Sequence, residues 1–424
     1  MRVLIVNTSE RTGGAAVAAN RLKDALNKSG IDASMLVRDK LSDDKTVFAI
    51  KNNWCTRWNK LWERWCIFCH LRFSKRNLFA IDIANTGTDI TKLPEFKNAD
   101  VIHLAWINQG FISLNNIEKI LKAGKPLVWT MHDIWPATAI CHITLDCRKF
   151  ETQCEKCRLL PFPFGCDLAK RTWRRKEQIK GHSHIIYITC SKWLQNEAKK
   201  SALIGKNIIE SIPNPIDSNI FCRTNKNEAR KKLGLPADKR LILFASQRVT
   251  NHNKGMGYLV DACQKMVRQH PETLTNTAVV VLGGHAEELC NDFELPMFPL
   301  GYVADTQQIV DVYNAVDVFV TPSLSDNLPN TIMEAMACGI PCVGFEVGGI
   351  PEMIDHKRNG YIVEQKNSAD LANGIYWVLN IADYDKLSAD AIKKVKENYS
   401  QARVAAQYID IYKKALANSN NKQI

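Results

Sequence analysis

The sequence predicts an α/β protein built from two doubly wound units in tandem, and three observations carry that expectation. Short apolar runs of strand length alternate with helix-period segments along most of the chain, the pattern of βαβ units with parallel strands. A proline-containing break, Pro213-Asn214-Pro215-Ile216-Asp217, separates one such series from a second. The length, 424 residues, suffices for two or three domains.

The first series opens with a strand at residues 3–7, a glycine-containing loop, a helix over 15–28 and a strand over 32–37. Further strands are expected at 101–104, 127–131 and 185–189, with a helix over 115–122 among them. The second series supplies strands at 241–245, 278–282, 318–321, 342–345 and 361–363, separated by helices such as 257–269 and 329–338. Residues 400–416 read as one last helix, and 418–424 as a frayed end. The expected domains are residues 1–213, then 214–399, with 400–424 packing back on the first. In tandem units of this class, the default ligand site is the cleft between them.

A composition of 46% hydrophobic and 24% charged residues excludes a disordered or fibrous chain. The net charge of +12 is unevenly spread: residues 1–180 hold 30 basic and 18 acidic side chains, and residues 181–424 hold 26 of each. Fourteen cysteines in a large chain whose first residues enter a strand, with no leader-like apolar run, read as reduced thiols or metal ligands in a cytoplasmic protein. No uncharged apolar stretch reaches the roughly 18 residues of a membrane span, so any membrane contact is expected to be peripheral.

Two glycine-rich turns and one acidic pair carry the chemistry. Thr12-Gly13-Gly14-Ala15-Ala16 joins the first strand to the first helix, where glycine lets the backbone approach a ligand and the helix N-terminus favours an anion. In the second half, Ser323 through Pro341 places Asp326 in a loop after a strand and Glu334 on the following helix. Pro329 suits the first helical turn, and Gly339 with Pro341 ends the helix. Glu346-Val347-Gly348-Gly349-Ile350-Pro351-Glu352 forms a second strand-to-helix turn able to present N–H groups to phosphate.

The run from Pro322 to Pro341, with Gly348-Gly349-Ile350-Pro351-Glu352, resembles the donor-site signature of glycosyltransferase family 4, whose fold is GT-B, two Rossmann-like domains facing a central cleft. The family's paired acids fall on Asp326 and Glu334, with Asp where the family has Glu at the first. Gly13-Gly14, Met131-His132-Asp133, Asn214-Pro215-Ile216-Asp217 and Lys254-Gly255 extend the resemblance through nearly the whole chain. Arg248 stands six residues before Lys254, one more than the common spacing.

The resemblance implies a retaining hexosyltransferase that uses a nucleoside diphosphate sugar. Lys254, Arg248 and the Gly348-Gly349 turn would stabilise the charge of the leaving diphosphate without a metal. Glu334 would hold the ribose, Asp326 would contact the donor sugar, and Gly13 and Gly14 would complete the donor-binding set. His132 would lie near the transferred sugar and orient its hydroxyl or the acceptor. The catalytic set is thus His132, Asp326 and Lys254.

Two features fall outside that set. Cys141, Cys147, Cys154, Cys157 and Cys166 cluster around a C-x-x-C pair, which suits a structural zinc ion in a loop, with unligated thiols and redox sensing as the alternatives. Trp54, Trp58, Leu61, Trp62, Trp65, Phe68 and Cys69 recur at helical spacing, with Arg57, Lys60 and Arg64 on other faces and Arg72, Lys75 and Arg76 following. A basic, Trp-rich helix over 54–76 suits an anionic membrane interface; packing of the aromatic face on the first domain is the alternative.

The expected function is transfer of a sugar to a lipid-linked or cell-surface glycan in polysaccharide biosynthesis, on the cytoplasmic face of the membrane. A nucleotide-sugar epimerase or hydrolase keeps the fold and changes the chemistry. Nucleic-acid binding is the rival from the net charge, disfavoured by a paired-acid site in a neutral second half.

Overall fold

A computed structural model describes residues 1–50, 54–161, 167–180 and 185–420. The chain forms two compact units, residues 1–215 with 404–424, and residues 216–403.

The first unit contains strands β1 (Arg2–Ser9), β2 (Asp32–Asp39), β3 (Val47–Ala49), β4 (Val101–Leu104), β5 (Leu127–Met131), β6 (Ile186–Thr189) and β7 (Ile209–Ser211). They form one sheet in the order β3-β2-β1-β4-β5-β6-β7, parallel at every pairing. Both faces are covered, which explains the near-continuous apolar strands. Val3, Ile5, Met35, Val37, Val128 and Ile188 pack with helix α1 (Gly14–Lys28) and with Val404, Tyr408 and Tyr412 of the last helix, Gln401–Asn420. Leu4, Val6, Ile102, Leu104 and Trp129 point to the opposite face, where helix α2 (Trp54–His70) and the helices Leu114–Lys122 and Leu168–Lys180 lie.

The second unit contains β8 (Arg240–Arg248), β9 (Thr277–Gly284), β10 (Met297–Gly301), β11 (Val318–Thr321), β12 (Cys342–Phe345) and β13 (Gly360–Val363), in the order β10-β9-β8-β11-β12-β13 and again all parallel. Ile242, Phe244, Val279 and Val281 bury one face against Leu259, Cys263 and Met266 of the helix Met256–Gln269.

The expected βαβ series is present, and the strands expected at 101–104, 127–131, 318–321 and 342–345 have those bounds. Three strands, β3, β7 and β10, were not expected. Each is an edge strand, so one ladder suffices to hold it, and β10 tolerates Pro299 for the same reason. The last helix continues to Asn420, so residues 418–420 are helical instead of frayed; residues 421–424 lie outside the described set.

Candidate active site

In the second unit, three strand-to-helix loops are knitted together at the carboxyl ends of β8, β11 and β12. After β8 the chain makes a single turn, His252–Lys254, and then Gly255, at φ 75°, starts the helix Met256–Gln269. Any Cβ on Gly255 would collide with the Pro322 carbonyl just after β11. That close approach is fixed by a hydrogen bond from Leu324 N to Asn253 O at 2.8 Å. Lys254 is thereby delivered to the next loop, where its Nζ donates to Asp326 Oδ2 at 2.6 Å.

The loop after β12 closes on the same residue. Gly348 has φ 57°, and a Cβ there would strike the Asp326 carbonyl, which also accepts from Gly349 N at 3.3 Å. The Gly349 N–H is therefore directed at Asp326 within the turn. Glu334 sits on the helix Asn330–Ala337, buried, and accepts from the Tyr313 hydroxyl at 2.9 Å. Arg248 is exposed at the end of β8 and donates to Thr250 of its own turn at 3.3 Å. The structure thus gathers Lys254, Asp326, Gly348 and Gly349 through direct contacts, ties Glu334 to Tyr313, and leaves Arg248 on its own loop.

In the first unit, Gly13 at φ 90° caps α1, and its carbonyl accepts from Val17 N at 3.1 Å. Gly14 is the first residue of the helix. His132 follows β5 with its Nδ1 3.5 Å from the Cys190 thiol sulfur. Burial pulls the His132 imidazole down to about 4, against the opposing charge of Asp133, so the ring is neutral at pH 7. Asp133 accepts from Trp135 N at 2.8 Å and Trp106 Nε1 at 3.0 Å, and its Oδ2 lies 2.8 Å from His142 Nδ1. The other nitrogen, His142 Nε2, lies 2.6 Å from Asp82 Oδ2, and Asp82 also accepts from Arg64. Burial opposes a charge on His142, but Asp133 and Asp82 overcome it and push the imidazole up to about 10. Tyr313, Trp106, His142 and Asp82 were not singled out as partners in the sequence, where they lie far from, or out of pattern with, the residues they hold.

Among the described residues, no group of three or more His, Cys, Asp or Glu side chains is disposed to hold a metal ion. Cys141 meets the Thr138 side chain, Cys154 the Ala139 backbone and Cys157 the Leu159 backbone, and these three thiols and Cys147 are near enough to influence one another's charge. Cys166 lies outside the described residues. Burial, with smaller contributions from neighbouring cysteines, pushes Cys141 up to about 11 and Cys154 to about 12.

Helix α2 turns out to be inverted relative to an ordinary amphipathic helix. Trp54, Trp58, Trp62 and Trp65 are 89%, 60%, 44% and 53% exposed, while Thr56, Glu63, Arg64 and Ile67 are buried. Glu63 accepts from Ile83 N and Ala84 N at 2.9 and 2.7 Å, and Arg64 donates to Leu78 O at 2.6 Å and to Asp82. Packing of the aromatic face is thus excluded, and Arg64 is removed from the outward basic set, which keeps Arg57, Lys60, Arg72, Lys75 and Arg76. No helix among the described residues is long and apolar enough to cross a membrane.

Residues 239–380, which hold Lys254, Asp326 and Glu334, match the family of glycosyl transferases group 1. Over 249 residues, 57% of this chain and 63% of the relative, the sequence is 31% identical to an uncharacterized glycosyltransferase of Methanocaldococcus jannaschii. It is 23% identical to the N-acetyl-alpha-D-glucosaminyl L-malate synthase of Bacillus anthracis, over 51% of this chain and 56% of that one. The chain therefore spans less than two thirds of the length of these relatives. The structure of Anabaena Alr3699/HepE in complex with UDP-glucose is similar in fold, with a TM-score of 0.62 and 18% identity over 98% of this chain and 100% of that one. Residues 239–380 thus match glycosyl transferases group 1, and the chain as a whole has a GT-B fold of two Rossmann-like units.

Proposed function

We propose that the chain is a retaining hexosyltransferase that moves a sugar from a nucleoside diphosphate donor to a lipid-linked or cell-surface glycan, in polysaccharide biosynthesis. The single observation that carries the reading is the Lys254–Asp326 pair, held at 2.6 Å by three loops at the carboxyl ends of parallel strands in the domain that matches glycosyl transferases group 1. A bound UDP-sugar in the fold-similar Anabaena protein supports the donor class.

The roles follow from charge. As the glycosidic bond breaks, the leaving diphosphate gains negative charge, and a fixed cation lowers the barrier most where that charge grows. Lys254 supplies the cation, with the exposed Arg248 as a second and the amide of Gly348 as a dipole, so that no divalent ion is needed. The N-terminus of α1 at Gly13 and Gly14 offers a further N–H cluster to the donor. Glu334 accepts hydroxyl donors from the ribose, Asp326 contacts the donor sugar, and the neutral His132 imidazole orients the acceptor.

The acceptor class rests on α2. Four exposed tryptophans flanked by Arg57, Lys60, Arg72, Lys75 and Arg76, in a half that carries the whole net charge, complement an anionic lipid surface. The protein then works peripherally, on the cytoplasmic membrane face, where a lipid-linked acceptor lies.

A panel of nucleoside diphosphate sugars screened by thermal shift tests the donor half of this reading. A true donor at about 100 times its dissociation constant stabilises the fold by about 2.7 kcal/mol. No response to any member of the panel removes the reading.

A further inference from the structure

An unassigned polar cluster in the first unit, next in sequence to His132, is the chain Arg64–Asp82–His142–Asp133, largely withdrawn from solvent. We propose that His142 is a positioning residue that fixes Asp133 and, through the adjoining backbone, sets His132 for the reaction; this rests on the glycosyltransferase reading given above.

The geometry is specific. Residues 80–82 and 140–142 are tied by an antiparallel bridge between Ile81 and Cys141 and by the bond from Asp82 N to Ile140 O at 2.8 Å. That tie places the imidazole between two carboxylates, at 2.6 Å from Asp82 and 2.8 Å from Asp133. Each ring nitrogen thus meets one carboxylate oxygen, so the imidazole bridges Asp82 and Asp133.

The consequence reaches the edge of the sheet. Asp133 also takes the indole N–H of Trp106, whose backbone N–H is bonded to Asn7 Oδ1 at 2.8 Å and whose carbonyl accepts from Thr8 N at 2.8 Å. One carboxylate therefore links the carboxyl ends of β1, β4 and β5 around His132. Three contacts, from Trp135 N on Oδ1 and from Trp106 Nε1 and His142 Nδ1 on Oδ2, anchor Asp133. Misplacing a reactive group by about 1 Å costs on the order of 100-fold in rate, so removal of the side chain that holds Asp133 has a kinetic signature.

The test compares wild type, His142→Gln and Trp106→Phe, the latter removing one donor to Asp133 without disturbing a charge. Transfer is measured with donor and acceptor varied separately, and rates are scaled to the fraction of molecules that bind donor. The expected result is a kcat lowered about 100-fold in His142→Gln and less in Trp106→Phe, with the KM for donor within about twofold of wild type. An arm independent of turnover uses ¹⁵N-histidine NMR, in which the His132 ring signals move or split in both variants. Wild-type kcat per donor-binding molecule with unmoved His132 signals overturns the proposal, and Trp106→Phe alone decides it if His142→Gln does not fold. Wild-type protein that binds donor yet transfers to no acceptor overturns the glycosyltransferase reading instead, and the NMR arm then still decides whether His142 sets His132.

Discussion

Lys254 Nζ and Asp326 Oδ2 stand 2.6 Å apart although 71 residues separate them in the chain, and the contact exists because Gly255 lets its loop press onto the Pro322 carbonyl. Both side chains are partly exposed, 34% and 16%, so the pair contributes little to stability by itself. Its position at the strand ends is where a ligand of this fold meets the protein.

Lys254→Ala is expected to lower kcat by about 10²- to 10³-fold, the loss that follows removal of one group aimed at developing charge. Its melting temperature should stay near wild type, because the lysine is not in the core. Glu334→Gln keeps an acceptor for Tyr313 and so remains folded, but weakens donor binding. Saturating-donor kinetics on both variants check this, and near-normal values in either remove that residue from the site.

Transfer should persist in excess EDTA. Lys254 and backbone dipoles supply the charge stabilisation in this account, so chelation leaves kcat unchanged. A loss of turnover that added Mg²⁺ or Mn²⁺ restores would transfer that role to a metal.

Replacing Trp58 and Trp62 by Ala should reduce sedimentation with anionic vesicles and leave stability nearly unchanged, since the two stacked rings face outward with centroids 6.2 Å apart. Basic residues near an anionic surface contribute about 1 kcal/mol each, so wild-type binding should weaken with salt without vanishing. Wild-type protein that ignores anionic vesicles at low salt contradicts the membrane assignment.

Acid should weaken the first unit through Asp44. Burial of Asp44 disfavours its charge, but the hydrogen bonds from Lys23 and Thr46 outweigh it and hold the carboxyl at about 2. An unfolded aspartate titrates near about 3.9, so the folded value is the lower one and the stabilisation is complete above that pH. It is lost as pH falls from about 4 through 2. The denaturant midpoints of wild type and Asp44→Asn should therefore differ at pH 7 and draw together as the pH falls below about 4 toward 2; a constant gap contradicts this linkage.

What the chain revealed in advance followed from local pattern. Central strands such as β5 and β11 are buried on both faces and read as uninterrupted apolar runs, so their bounds were legible. The edge strands β3, β7 and β10 are held by one neighbour, and no run of three to five residues announces that. Asp326, Glu334, Gly348 and Gly349 were legible because they lie within one short stretch. Their partners were not: Tyr313 precedes Glu334 by more than a helix, and Asp82 meets His142 only through folding. For α2 the helical period was plain, yet which face is buried was decided by Glu63 and Arg64 reaching backbone and Asp82.

The most direct test of the central claim is product analysis after incubation with a responding nucleoside diphosphate sugar and a lipid-linked glycan acceptor. The account predicts an acceptor extended by one sugar with the donor's anomeric configuration retained, nucleoside diphosphate released in equal amount, and neither product with Lys254→Ala. Free sugar without an extended acceptor, or an epimerised sugar still attached to its nucleotide, would contradict it.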